Sequence, residues 1–341
     1  MSQLASDKML DRAFEAVCHK LKNSSCNNGI WDLRLKWGES KTELQRQLLQ
    51  GTYSFTATNV RLGQFGWYEQ WEVTDQVVLK AMQNVMRGIF TPHVDTRCYN
   101  LKGRGGLKGA VGSVADAIKK YKYIYKSDIA SYYTSIDHEI LLKKLSKYIP
   151  ERDFLNLINR FLCHSKSKDG AYHDTYSGIS RGTSISYLLG IVYLMDLDDV
   201  FTRKKSCFYV RYMDDFICMT NNKQLLRRCI RKANTVLTQL KLITSFEKTF
   251  IGNIAEEGID FLGFRICAQG VRAALDTIYK FKQKCTAKVH RWWNRFYESG
   301  LNGLEKLKGE PTLAQTISQY EKNWIRWSNG RMATHLGMRP N

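Results

Sequence analysis

Apolar positions along the chain recur with two periods, and those periods mark out the elements. From Asp7 to Lys22 the residues Met9, Leu10, Phe14, Val17, Cys18 and Leu21 fall on one face of an amphipathic helix. The same period predicts helices over Val73–Ile89, Ala110–Tyr121, His138–Tyr148, Phe154–Cys163 and Lys223–Leu240. Ser184–Val200 is so uniformly apolar that the helix it predicts is mostly buried. Tyr121–Asp128 is rich in β-formers and ends on a carboxylate, which predicts a strand with an acid at its tip. Between Cys207 and Met219 two apolar runs flank Asp214 and Asp215, predicting a β-hairpin with both carboxylates at its turn.

Residues 121–265 therefore read strand, helix, helix, hairpin, helix, strand, an α+β layer and not an alternating parallel sheet. Leu101–Gly109 interrupts the pattern with glycines and cations and reads as a flexible basic segment. Residues 271–341 carry 13 Lys and Arg against 5 Asp and Glu and read as a separate helical module.

Composition sharpens this picture in one respect, the charge. With 52 Lys and Arg against 32 Asp and Glu the net charge is +20 over 341 residues, so a polyanionic partner is expected. An apolar share of 43% with only 4 prolines excludes wholesale disorder. No stretch approaches the roughly 20 apolar residues of a membrane span, and Met1–Lys20 lacks a signal-peptide core. The expectation is a soluble cytoplasmic protein with no membrane partner. Nine scattered cysteines form no C-x-x-C pair and read as reduced thiols. Cys18-His19 and Cys163-His164 lack the second pair that a zinc site requires.

Asp128 and Asp214 are 86 residues apart, yet they converge with Asp215 if their strands are neighbours in one sheet. Clustered carboxylates on a basic protein are the donor set of a Mg²⁺ site for nucleotidyl transfer. Asp-Asp pairs also occur on solvated turns and helix ends, and Asp198-Asp199 is taken as such a decoy.

Five segments carry a resemblance to bacterial reverse transcriptases of the group II intron and retron-like lineage. Tyr212-Met213-Asp214-Asp215 resembles their YxDD box, and the segment from Asp128 to His138 resembles their first palm motif. Gly178–Ser186, followed by the apolar run Leu188–Leu194, is similar to the G-x-P-Q-G motif and its helix, with Ser180-Arg181 where Pro-Gln is usual. Phe246–Thr249 and Phe261-Leu262-Gly263-Phe264 resemble the next two palm motifs, the second being the primer grip. Cys98–Val111 and Ile179-Ser180-Arg181-Gly182 are similar to segments of the defence-associated and unclassified bacterial members.

The resemblance implies an α+β right-hand polymerase, with an N-terminal extension and fingers over 1–120, a palm over 121–265 and a helical thumb over 266–341. It implies an RNA-directed DNA polymerase that uses two Mg²⁺ ions, with Mn²⁺ as a substitute. Asp128, Asp214 and Asp215 are the implied catalytic residues, and the Ile129 carbonyl completes the metal shell. Tyr133 is implied as the gate against a ribose 2′-OH, with Arg181, Gly182 and Lys248 contacting the nucleotide. A solvated turn lysine accounts for Lys248 almost as well. Nucleic-acid contacts are expected from Lys102, Arg104 and Lys108, from Phe261, Leu262 and Gly263, and from Lys284, Lys288, Arg291 and Arg295 on one helical face, although a solvated face predicts the same spacing. Arg61 and Lys80 are the candidates for a triphosphate clamp, and Trp292, Trp293, Trp324 and Trp327 read as thumb core more than as base-stacking platforms.

The implied partners are dNTPs, a DNA product and a dedicated structured noncoding RNA as template, in a bacterial antiphage setting. Two rivals stay open: template-independent or protein-primed terminal transfer, and a non-enzymatic RNA-binding scaffold.

Overall fold

The computed structural model describes residues 1–63, 66–202, 207–254, 258–298 and 312–329. Three N-terminal helices, α1 (Asp7–Lys20), α2 (Ile30–Leu35) and α3 (Trp37–Leu49), precede a hairpin of β1 (Thr58–Gly63) and β2 (Gly66–Gln70). Then follow α4 (Val73–Phe90), α5 (Gly106–Ile118), β3 (Tyr123–Ser127), α6 (His138–Leu145) and α7 (Arg152–Leu162). A second hairpin, β4 (Ser165–Lys168) and β5 (Ala171–Asp174), leads to α8 (Ser186–Tyr193) and α9 (Met195–Thr202). The third hairpin is β6 (Phe208–Tyr212) and β7 (Asp215–Thr220), after which come α10 (Lys223–Gln239), β8 (Phe250–Asn253), β9 (Ile259–Phe261), β10 (Phe264–Cys267) and β11 (Gly270–Ala273). Two helices close the described chain, α11 (Leu275–Glu298) and α12 (Leu313–Asn329).

The local causes are those the sequence advertises. In α7 the buried Phe154, Leu157, Ile158, Phe161 and Leu162 repeat at three- and four-residue steps, a stripe that turns one face to the core. Asp137 starts α6 by accepting the Ile140 N–H at 3.0 Å, and Asn222 starts α10 by accepting that of Leu225 at 2.9 Å.

The described residues form three sheets. An antiparallel one runs β6-β7-β3-β8, with α9 and α10 against it. A small antiparallel sheet runs β11-β10-β9 and packs with α5. The third, β2-β1-β4-β5, joins two hairpins about a hundred residues apart through a parallel pair in which Thr58 faces Lys166.

Three expectations need correction. The apolar Ser184–Val200 segment is two helices broken at Leu194, not one. The glycine-rich segment is only partly a loop, because α5 begins at Gly106 and includes Lys108. Asp198 is no solvated decoy: it is 2% exposed, paired with the fully buried Arg211.

Candidate active site

β3 and β7 pair antiparallel with Ser127 opposite Phe216, which sets Asp128, just past the end of β3, beside Asp215 at the start of β7. Tyr212 faces Asp215 across the hairpin, so Met213 and Asp214 form a two-residue turn. Met213 has φ 57°, a left-handed conformation uncommon for a residue with a side chain. Two chain segments, on strands that are neighbours in one sheet, thus deliver three carboxylates to one end of it.

Their proximity shows in their proton affinities. Burial, followed by the charges of Asp128 and Asp214, pushes Asp215 up to about 7. Burial and Asp128 also raise Asp214. The protein itself sets a cation against this group, because Lys248 Nζ lies 2.9 Å from Asp128 Oδ2. That hydrogen bond raises the lysine and keeps it charged.

Asp128 is anchored through its backbone, its carbonyl accepting the Ser245 N–H at 2.8 Å while the Ala130 N–H donates to Ile243 at 2.8 Å. The intervening Ile129 faces Thr244 in that bridge and leaves its own carbonyl outside the pairing. Among the described residues no three His, Cys, Asp or Glu side chains stand ready-made as a metal cage. The donor chemistry nonetheless suits a hard divalent cation: oxygen ligands only, with two carboxyls disfavoured as anions by their neighbours.

Tyr132–Thr134 forms one 3₁₀ turn beside the carboxylates. Tyr132 is buried and donates its hydroxyl to the Gly190 carbonyl at 2.5 Å, a structural role. Tyr133 is half-buried, and burial plus the Asp214 charge push its phenol up to about 12. Gly178 clamps this turn: the Ile179 N–H donates to the Tyr133 carbonyl at 2.7 Å, and a Cβ on Gly178 would lie 2.9 Å from Thr134 Cα. Gly178 also has φ 81°, so a side chain there is excluded twice.

Arg181 is exposed and lines two clefts, one of about 610 Å³ and one of about 310 Å³. The preceding Ser180 fixes it from below, accepting from Trp71 Nε1 at 3.0 Å, while its carbonyl accepts the Ser186 hydroxyl at 2.5 Å. Trp71 in turn packs on His164, whose Nε2 lies 2.6 Å from Glu69 Oε2. Burial pushes Glu69 up, but hydrogen bonds from His164 and Lys166 outweigh it and hold the carboxyl at about 2. Nothing in the sequence singled out Glu69, Trp71 and His164 as a unit, because their contact needs the β1–β4 pairing.

A family profile described as reverse transcriptase (RNA-dependent DNA polymerase) matches residues 71–266, more than half of the chain. This chain belongs to the reverse transcriptase family. A putative COX1/OXI3 intron 1 protein of Saccharomyces cerevisiae is 23% identical over 191 residues, 52% of this chain and 22% of that protein. The group II intron-encoded protein LtrA of Lactococcus lactis is 24% identical over 135 residues, 40% of this chain and 22% of that protein. Protein YkfC of Escherichia coli is 21% identical over 231 residues, 56% of this chain and 60% of that protein. The chain spans about a fifth of the length of the first two. The family points to divalent-metal dependence in general.

The matched reverse transcriptase region contains the three carboxylates, Tyr133, Arg181, Gly182, Lys248 and Phe261–Gly263, and excludes α1–α3, α11 and α12. Gly182 has φ 84° with open space around its Cα. Leu262 and Gly263 form the β9–β10 turn at φ 50° and 84°, with Phe261 and Phe264 buried beneath it. A groove of about 920 Å³ lies there, lined also by Lys126 and Lys280.

The expected cationic contacts divide in the structure. Lys102 is exposed. Arg104 turns inward and donates to the carbonyls of Thr91, Val94 and Asp95, which ties down the end of α4. Lys108 donates to the Arg326 carbonyl at 3.0 Å and holds α12. Lys284, Lys288 and Arg291 lie on α11, with Lys288 5.1 Å from the Tyr320 ring centroid. Trp324 packs on Phe281 at 4.5 Å. Arg61 is exposed on β1, and Lys80 is half-buried at the edge of the 610 Å³ cleft. The side chains of Arg295, Trp292, Trp293 and Trp327 lie outside the described residues. Among the described residues no helix is long and apolar enough to cross a membrane.

Proposed function

We propose that the protein is an RNA-directed DNA polymerase, and the observation that carries this reading is the meeting of Asp128, Asp214 and Asp215 at one sheet end in a reverse transcriptase chain. In this reading the N-terminal helices and the β2-β1-β4-β5 sheet belong to an extension and fingers (1–120), 121–265 to the palm and 266–341 to a helical thumb. Residues 165–174 depart from that linear division, since β4 pairs with β1 and β5 with β4.

Asp128, Asp214 and the Ile129 carbonyl would hold two Mg²⁺ ions, and Asp215 would support them electrostatically. Bound divalent ions make a primer 3′-hydroxyl a better nucleophile and neutralise charge on the α-phosphate and pyrophosphate. For Asp128 to serve, Lys248 must release it, and the same ammonium is then free to protonate the leaving pyrophosphate. Tyr133 would exclude the ribose 2′-OH by bulk, and its high phenol pKa rules it out as a base near neutral pH. Arg181 would contact the nucleotide with a cationic fork, Gly182 would let the new base pair approach, and Phe261–Gly263 would grip the primer. Lys102, Lys108, Lys284, Lys288 and Arg291 would meet phosphates. Arg104 supports that surface indirectly, by fixing the glycine-rich loop.

The narrower reading is a dedicated structured noncoding RNA as template, in bacterial antiphage defence. Its support is the likeness of Cys98–Val111 and of Ile179–Gly182 to the defence-associated members. The test is to purify wild type and Asp214→Ala/Asp215→Ala, sequence the RNA that accompanies each, then add Mg²⁺ and dNTPs and sequence the product. DNA complementary to one bound RNA, from wild type only, is expected. DNA unrelated to that RNA would favour terminal transfer, and bound RNA without DNA would favour a scaffold.

A further inference from the structure

Arg211 directly precedes the Tyr212–Asp215 box, and its side chain is completely buried. Its guanidinium meets Asp198 of α9 through two bonds, Nε to Oδ1 and Nη2 to Oδ2, each 2.6 Å. Tyr209 donates its hydroxyl to the same carboxylate at 2.7 Å. The remaining Nη1 reaches forward and donates to the Met213 carbonyl at 3.0 Å, inside the turn that presents Asp214. The backbone of Arg211 is held as well: its N–H donates to the Arg97 carbonyl at 3.0 Å, and its carbonyl accepts the Tyr99 N–H at 2.9 Å.

We infer that Arg211, fixed by Asp198, is a positioning residue that sets the Met213–Asp214 turn and with it the direction of the Asp214 carboxylate. Met213 sits in an uncommon left-handed conformation, and such a conformation persists only where its surroundings over-determine it. The Nη1 donor supplies that constraint by pairing the Met213 carbonyl from the buried side of the turn. Only a planar fork can serve Asp198 with one side and Met213 with the other, so lysine cannot replace it. The geometry stands without the polymerase reading, while the consequence for nucleotide addition rests on it.

A purely structural ion pair predicts something different. Buried pairs can be exchanged for apolar residues of similar volume with little loss of stability. The double variant Asp198→Leu/Arg211→Met therefore separates the roles, because it removes both charges and also the donor to Met213. It is expected to fold with a thermal midpoint lowered by a few degrees, because the buried Tyr209 hydroxyl loses its acceptor, to lose about 10-fold or more in kcat on a primed RNA template, and to keep its dNTP KM within about 3-fold. Binding of Mn²⁺, followed by electron paramagnetic resonance without nucleotide, is expected to weaken by about 5-fold or more on the same grounds.

If the double variant does not fold, Arg211→Lys keeps the charge and most of the packing and is expected to show the same kcat and Mn²⁺ losses. Wild-type kcat and Mn²⁺ affinity in a folded variant would overturn the inference. A wild type that binds Mn²⁺ through the three carboxylates but extends no primer would instead overturn the polymerase reading. The Mn²⁺ affinities alone would then decide the role of Arg211.

Discussion

The carboxylate end of the β6-β7-β3-β8 sheet and the α11–α12 pair are built on opposite plans. At the first, β3 is hydrogen-bonded to a strand on each side, Asp128 is 6% exposed, and Arg211 and Asp198 are buried beneath the turn. At the second, cations lie along an exposed helix whose contacts to α12 include the Phe281, Tyr320 and Trp324 rings. One region concentrates its chemistry in a few fixed atoms and the other spreads charge over many replaceable ones. Fixed atoms suit bond making, which tolerates errors of only tenths of an ångström. Spread charge suits a phosphate backbone that must slide past.

The contrast breaks if changes at the carboxylates prove mild. Asp214→Ala/Asp215→Ala is expected to cut primer extension by about 1,000-fold or more while RNA binding by filter retention stays within about 2-fold. Equal loss of both would make the site a binding surface. Tyr133→Val is expected to improve ribonucleotide use by about 10–100-fold with dNTP efficiency little changed, measured as the ratio of the two kcat/KM values. An unchanged ratio removes the gate role from that residue.

On the helix, the triple variant Lys284→Ala/Lys288→Ala/Arg291→Ala is expected to weaken template-primer binding about 10-fold and to reduce the salt slope of log K by about 2 to 3. The kcat at saturating nucleic acid should not move; a fall there would mean that α11 reaches the chemistry.

The smallest effect tests the electrostatics of the carboxylate end. Burial and the charges of Asp128 and Asp214 push folded Asp215 up to about 7 from an ordinary 3.8, so between those values the folded state binds a proton that the unfolded state lacks. Its contribution to stability therefore falls as pH rises through that window. In metal-free buffer Asp215→Asn is expected to raise the thermal midpoint by a few degrees at pH 8, and the gain should shrink as the pH approaches 4. Saturating Mg²⁺ is expected to reverse the ranking, and a ranking indifferent to both pH and Mg²⁺ would argue against a charged cluster.

What the sequence made legible was what rests on near neighbours. Strand-end carboxylates, the hairpin and the stripe on α7 follow from residue spacing, whereas the meeting of Asp128, Asp214 and Asp215 depended on β3 and β7 being neighbours, which spacing left open. The sheet β2-β1-β4-β5 was not legible, because its short polar strands such as Ser165–Lys168 carry no alternation and pair across a hundred residues. The short α2 and the 13-residue α3 escaped because each buries only two apolar side chains, too few for a stripe. Asp198 looked like a surface acid because burial is a property of the fold, and Arg104 looked like a phosphate ligand because local charge says nothing of the carbonyls beside it.

The central strand of the carboxylate sheet also dictates a timetable. β3 pairs on one side with β7, where Ser127 meets Phe216, and on the other with β8, where Lys126 meets Phe250. At synthesis rates of roughly 5–20 residues per second, β3 leaves the ribosome several seconds before either neighbour exists. During that interval Ile124 and Tyr125 have no sheet to enter, and the nascent chain is open to chaperones and to aggregation. Until Asp215 has been synthesised and β7 has paired with β3, no nascent chain can bring the three carboxylates together.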